Sequence, residues 1–430
     1  MTAEIAVMNR EAISLAADSA VTMMFEGGPK VFPSANKIFA LSRHEPVAAM
    51  IYGNAGLMGV PWEPAIKMFR RELGHTSYPH IQKYSDELLR FLREHRKLFP
   101  EKESEPFHFL HVLAYFNLIL SSAFREWEAK SAGTQTAPPV PPDVIEKHIV
   151  RHLDRLKTLP QLPSIGKEEV AKLRTKFRPL IKRVVSQAFS AYKLGPKATQ
   201  ALLDIGVFCT VKCPPGIDWP LASGLVVGGF GRNDFFPSLR SFAIHGIFGG
   251  HLHYRTEPPA DVGINNPAWV IPFAQKEMVY AFMEGVDPRY QKKIESDMLD
   301  ILKKYPKTVI DSAKFLDVKS KGNLNALFQT VASQFLDDYR KELSRYRQKN
   351  FAQRVIQLVG VLPKGELATL AESMVSLTSM RHKISPETET VGGPIDVAVI
   401  SKGDGLIWVK RKHYFDPALN SQFFHNYNLG

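Results

Sequence analysis

Four residues near the start of the chain, Thr2, Asp18, Lys37 and Gly53, have types and spacing that could do chemistry. Methionine aminopeptidases remove Met1 when the next residue is small, and Thr2 qualifies. The product would carry a hydroxyl nucleophile and a free α-amine on one residue. An α-amine titrates near about 7.7–8.0, so at neutral pH a useful fraction can take the hydroxyl's proton. A lysine beside that hydroxyl lowers its pKa by charge. An aspartate can hold the lysine, and a glycine N–H can point at a developing oxyanion. Met-Thr alone says little, because many chains begin so for no catalytic reason.

The elements around these residues add to the case. Ala3, Ile5 and Val7 alternate with Glu4 and Ala6, Asn9-Arg10 makes a turn, and Ala12 to Ala17 reads as a second strand. That pattern predicts a β-hairpin, which returns Asp18-Ser19 beside the start of strand one. Lys37 heads a further strand, Ile38 to Leu41, as a solvent-exposed residue. Val47 to Tyr52 is an apolar run ending in Gly53-Asn54-Ala55-Gly56. Lys30, the rival lysine, falls in the Gly27-Gly28-Pro29 loop.

This set resembles the proteasome β-subunit family of N-terminal nucleophile hydrolases, including the bacterial proteasome-like peptidases. The matching residues are Thr2, Ala17-Asp18-Ser19, Lys37-Ile38 and Gly53-Asn54-Ala55-Gly56. The resemblance implies Thr2 as nucleophile and its amine as proton shuttle. It also implies Asp18 and Lys37 as the adjacent charge pair, and the Gly53 N–H as oxyanion donor. Val391 to Val409, with Gly392-Gly393 and Gly403-Asp404-Gly405, looks like the family's closing helix-to-hairpin segment. The implied fold is α+β, the four-layer αββα sandwich, and the implied chemistry is amide-bond hydrolysis of a peptide or amide substrate. Self-assembly into rings and an ATPase partner are left open.

The chain departs from the family in two places. The Ser-rich turn expected before the central helix has its counterpart at Ile271-Pro272-Phe273-Ala274-Gln275, with no serine. The Asp and Ser expected ahead of the late Gly-Gly are replaced by Pro386 to Val391, so Glu387 or Glu389 would hold the N-terminal amine. The contrasting expectation is a catalytically degenerate scaffold or interaction protein that keeps the sandwich.

At 430 residues the chain is about twice the usual domain size. The expected core is 1–56, 200–304 and 363–430, with 57–199 a helical insertion and 305–362 a second. Helices are predicted at Pro61–Gly74, Ser85–Lys97, Pro106–Glu128, Asp143–Lys157, Lys167–Tyr192, Lys276–Glu284, Pro288–Lys304 and Glu366–Lys383, and strands at Ala201–Thr210, Ser223–Phe230 and Leu239–Phe248. No stretch is expected to span a membrane; Phe109 to Leu120 comes nearest. The charged residues among the first eighteen argue against a signal peptide, and a cytoplasmic location is expected.

Cys209 and Cys213, on one expected strand, read as reduced thiols, and His245, His251 and His253 as turn and surface histidines. No metal or cofactor is therefore expected. The net charge of +12 is spread through helices with acids interleaved. No nucleic-acid motif accompanies it, so a nucleic-acid partner is disfavoured against an acidic partner or substrate.

Overall fold

The alternation after Thr2 folds as a hairpin. In the computed structural model, β1 (Ala3–Asn9) and β2 (Ala12–Ala17) pair antiparallel, with Glu4 opposite Ala17 and Met8 opposite Ile13. Asn9 closes the turn. Its side-chain oxygen accepts from the Glu11 N–H at 2.9 Å, a local bond that asparagine is suited to make. Its amide donates to the Val359 and Leu362 carbonyls at 2.9 and 2.8 Å.

The structure describes residues 2–25, 28–131, 139–217, 219, 221–385, 392–422 and 425. It is a mixed α/β structure of sheets and helices that forms two compact units, 1–35 with 261–430 and 36–260. Along the chain come β3 (Val21–Phe25), β4 (Gly28–Phe32), β5 (Ile38–Ala40), β6 (Val47–Gly53), β7 (Gly56–Leu57) and β8 (Val60–Pro61). Six helices follow: α1 (Trp62–Leu73), α2 (Ile81–Glu94), α3 (Glu105–Lys130), α4 (Pro142–Thr158), α5 (Lys167–Phe189) and α6 (Pro196–Val211). Strands return as β9 (Ser223–Gly229), β10 (Ser238–Phe248), β11 (His251–Thr256), β12 (Ala260–Asp261) and β13 (Ala268–Ala274). The chain continues through α7 (Glu277–Glu284), α8 (Pro288–Ser312), α9 (Val318–Arg347), α10 (Gln353–Val359) and α11 (Lys364–Lys383) to β14 (Asp396–Ser401) and β15 (Gly405–Lys410).

The unit containing the N-terminus is built on an antiparallel sheet in the order β13-β1-β2-β14-β15. Ala3, Ile5, Val7 and Ala16 pack with Leu367, Ala371 and Val375 of α11 and Val279 of α7. Small alanines on the strands let the helix settle close to the sheet. In the same unit α8 and α9 form a helical arm, tied by Arg340 to Glu295 at 2.8 Å. Asp287 and Asp317 cap the starts of α8 and α9 by accepting from the Arg289 and Ser320 N–H groups. Lys30, expected in a loop, sits exposed on β4.

The other unit carries an antiparallel sheet in the order β11-β10-β9-β6-β5. Alternate residues of β6, Val47, Ala49 and Ile51, pack with Trp62 and Ile66 of α1 and Tyr84 and Leu88 of α2. Helices α3 to α6 form a second cluster around Phe116, Ile149, Ile181 and Leu202.

Two expectations need correction here. Residues 201–210 are not a strand but the body of α6, which is apolar on most of its circumference and therefore buried. Gly206 explains part of the misreading. A Cβ there would lie 2.4 Å from Ile181 Cγ2, so glycine is what lets α5 and α6 approach. The second concerns membrane spans: the helix at Glu101–Lys130 is long and apolar enough, by length and composition alone, to cross a membrane. Its buried residues, among them Val112, Phe116 and Ile119, serve the helical cluster.

The helical cluster also buries imidazoles. His152 on α4 has its Nδ1 3.2 Å from the Tyr115 hydroxyl, and burial lowers its pKa to about 4, with the charges of His148 and Arg155 acting in the same direction. In the unfolded chain a histidine titrates near about 6.5, so the unfolded state binds more protons as the pH falls. The stability associated with neutral His152 is therefore present above pH ~6.5 and lost as the pH falls toward 4, on the order of 2–3 kcal/mol. Urea unfolding between pH 7 and pH 4.5 should show the wild type losing more stability than His152→Gln, which has no titrating ring. Parallel pH dependences would contradict the burial argument.

Candidate active site

Thr2 is 2% exposed and immediately precedes β1. Its Oγ1 donates to Glu4 Oε2 at 3.1 Å. The two-residue period of a strand puts both side chains on one face. A buried carboxylate at hydrogen-bond distance from a hydroxyl is placed to accept its proton. Glu4 was not singled out from the sequence. Its signal there is a lone acid inside an otherwise apolar strand.

Asp18 follows β2 and is buried. Its Oδ1 accepts from the Ala3 N–H at 3.0 Å, and its Oδ2 accepts from Gly392 N–H at 2.9 Å and Ala20 N–H at 3.3 Å. The Asp18 N–H in turn donates to the Ala3 carbonyl at 3.0 Å. The hairpin register thus places a carboxylate on the peptide that follows Thr2. Next to it, Ser19 donates from its hydroxyl to the Pro394 carbonyl at 2.5 Å. The Gly392-Gly393 segment is therefore held against the end of β2. Asp396, also missed from the sequence, is buried on β14 opposite Ala17 and pairs with Lys412.

Ile271 to Ala274, expected as a turn, belong to β13, with Ala274 opposite Ala3. Gln275 then donates its N–H to the Thr2 carbonyl at 3.3 Å. Its side-chain oxygen lies 3.0 Å from His382 Nε2. Gln275 and His382, with Met278, Arg289, Arg381 and Ser385, line a cleft of about 310 Å³. Its two arginines are offset by Glu277, which also lines the cleft, and by Asp287, 2.7 Å from Arg381.

Lys37, just before β5, and Gly53, at the end of the neighbouring β6, lie in the other unit. The Lys37 carbonyl accepts from the Ile51 N–H at 2.9 Å, and Gly53 ends β6 two residues later. Lys37 is 3% exposed, which corrects its expected solvent exposure: burial of the residues flanking β5 includes the strand head. Gly53 has φ +77°, a conformation glycine adopts without strain, and a Cβ there would meet the Ala222 carbonyl at 3.0 Å. The Ser223 hydroxyl, at 3.1 and 3.0 Å from the Asn54 and Gly56 carbonyls, pins this turn. Glu387 and Glu389 lie outside the described residues.

The arrangement in the N-terminal unit therefore puts a hydroxyl and two buried carboxylates at the start of the first strand, and the residue that holds the Thr2 carbonyl, Gln275, also lines a cleft. No family model matches this chain. No curated protein matches it either. Among solved structures, it is similar to the Gly-1 mutant of Anbu from Hyphomicrobium sp. strain MC1, with 10% identity and a TM-score of 0.28 over 100% of this chain and 96% of that one.

Asp18 offers a direct check on this geometry. Asp18→Ala would leave three buried N–H groups without their acceptor, at about 1–3 kcal/mol each. Urea unfolding should show a loss of roughly 3 kcal/mol or more, with Asp18→Asn losing less because its carbonyl oxygen retains part of the set. A loss below about 1 kcal/mol would mean that the hairpin does not depend on this carboxylate.

Proposed function

We propose that the protein is an amide-bond hydrolase of the N-terminal nucleophile kind, a threonine peptidase or amidase on a four-layer αββα sandwich. The observation that carries this reading is the clamp on the residues after Met1. Asp18 fixes the peptide following Thr2, and Gln275 holds the Thr2 carbonyl beside a cleft. Such positioning is what a nucleophile needs, because small displacements of reacting groups cost large factors in rate.

In this reading Met1 is removed and the Thr2 amine becomes free. Thr2 Oγ attacks the substrate carbonyl carbon while the amine takes its proton. The tetrahedral oxyanion is stabilised by the Gly53 N–H, and Lys37 supplies the charge that favours the alkoxide. Collapse breaks the C–N bond, and the leaving amine takes the proton from the terminal ammonium. Water, deprotonated by the same amine, then cleaves the ester and restores the threonine. Glu387 or Glu389 is assigned the role of holding that amine, and raising its pKa by its charge.

Intact-mass measurement with an electrophile directed at N-terminal threonine tests the proposal. The mature protein should lack Met1 and take one label per chain, and Thr2→Ala should take none. Lys37→Met, which keeps the aliphatic volume of a buried side chain, should retain the folded far-UV spectrum and lose labelling by about 100-fold or more. Met1 retained in most molecules would sink the enzyme reading.

One observation favours the alternative, an interaction protein or scaffold that assembles with itself. Ile294, Ile301, Tyr305 and Val309 form an exposed stripe on α8, and Phe328, Phe335, Tyr339 and Tyr346 form another on α9. Their spacing of four and seven residues keeps each stripe on one helix face. If a second copy covers them, light scattering should show an oligomer that Phe335→Glu and Ile301→Glu reduce to the monomer. A wild-type monomer at micromolar concentration would remove this support.

A further inference from the structure

The histidines read from the sequence as turn and surface groups are not exposed. His245 and His253 are buried, and they lie together with Cys213, which follows α6 instead of sitting on a strand. His245 occupies β10 where its register with β11 shifts between Ile244 and Gly246, and Gly246 stands opposite His253. A shift of this kind re-aims a side chain. Here it brings His245 Nδ1 to 2.9 Å from His253 Nδ1 and 3.7 Å from Cys213 Sγ. All three ligand atoms lie within 4.8 Å of one another.

We propose that Cys213 Sγ, His245 Nδ1 and His253 Nδ1 form a zinc site that clips the β10–β11 pair to the end of α6. Zinc takes nitrogen at about 2.0–2.1 Å and thiolate at about 2.3 Å, so tetrahedral ligands sit roughly 3.3–3.6 Å apart. The His245–His253 and His245–Cys213 separations bracket that range, and the third lies within 4.8 Å, so side-chain rotation has to draw Cys213 Sγ and His253 Nδ1 together by up to about 1.2 Å. One thiolate with two imidazoles is also the donor set that suits zinc over magnesium or calcium.

The surroundings are those of a metal site. His253 Nε2 is 2.8 Å from the Lys212 carbonyl. A carbonyl only accepts, so Nε2 carries the hydrogen and Nδ1 presents its lone pair. This is the outer-shell arrangement that fixes a ligating histidine. Lys212 is itself anchored, donating from Nζ to the Leu156 and Lys157 carbonyls at 2.7 and 3.1 Å, the last turn of α4. The segment carrying Cys213 is thus pinned before any ion binds. His111 packs edge-on to His253 and stacks on Trp219 at 3.8 Å, which makes the inner wall dry. Cys213 is only half-buried and gives the route in. On binding, its thiol releases a proton to solvent and ligates as thiolate. The fourth tetrahedral position is left to water.

The two histidines could instead form a metal-free hydrogen-bonded chain, His245 Nδ1–H to His253 Nδ1 and His253 Nε2–H to the Lys212 carbonyl. Titration of the chelator-stripped, reduced, full-length protein with Co²⁺ separates the two. The zinc site predicts one equivalent of Co²⁺ with a near-ultraviolet thiolate-to-cobalt charge-transfer band, displaced by one equivalent of Zn²⁺. Cys213→Ser should abolish the band and weaken binding at least about tenfold. His251→Ala, on the same strand but turned toward Ser164 and Glu169, should leave both unchanged. Absence of stoichiometric Co²⁺ binding by the wild type would overturn the proposal. So would a spectrum and affinity that survive Cys213→Ser.

Discussion

The Asp18 carboxylate organises the N-terminal unit. Burying a charge is costly unless it is hydrogen-bonded. This one is bonded by three backbone N–H groups from separate stretches: the residue after Thr2, the turn after β2, and the glycine segment before β14. Charge-assisted bonds of this type are stronger than neutral ones, and they use donors that the ends of strands leave over. One side chain thereby joins the beginning of the chain to residues nearly four hundred positions later. The segments it ties together lead into neighbouring strands of one sheet, in the order β13-β1-β2-β14-β15.

The other unit solves a different problem. Its helices bury several imidazoles among aromatic rings, His108 between Phe177 and Phe248 and His111 on Trp219. Such rings are tolerated only when neutral, and burial pushes His108 down to about 3. Each finds a local partner: His108 Nε2 is 2.7 Å from the Thr210 hydroxyl and His111 Nε2 is 3.1 Å from the Cys209 carbonyl. Residues 209 and 210, at the end of α6, thus serve as the polar seam between that helix and α3. The helix ends at Val211, and the chain that leaves it carries Cys213.

Legibility from sequence followed the range of the interactions. The opening hairpin was readable because a two-residue period and an Asn turn are local signals, and β5, β6, β9, β10 and the closing hairpin fell within a few residues of their expected bounds. The amphipathic helices were readable for the same reason. Residues 201–210 were not. A fully buried helix has no polar face, and a short apolar run with β-branched residues looks the same in either period. The burial of Lys37, Glu4 and Asp396 was also hidden, since a charge in an apolar run says that something is unusual but not what surrounds it. The clustering of Cys213, His245 and His253 depends on a register shift and on the end of a helix thirty residues away. Sequence spacing carries no trace of either.

The burial of Thr2 constrains the proposed chemistry more than its identity does. While Met1 is attached, the nitrogen of Thr2 is an amide and cannot accept a proton. The base at hydrogen-bond distance from the Thr2 hydroxyl is then Glu4. Once the α-amine is free, the hydroxyl has two acceptors to choose between, and an α-amine, which titrates near about 7.7–8.0, can also return a proton to a leaving amine at neutral pH. Glu4 then suits a different role, since a fixed negative charge on the same strand face steadies the terminal ammonium that forms during attack. On this reasoning Glu4→Gln leaves Met1 processing intact and lowers the apparent pKa of threonine labelling, because the neutral amide no longer favours the ammonium. A labelling profile that shifts upward, or not at all, would separate Glu4 from the amine and return it to a purely structural place in β1.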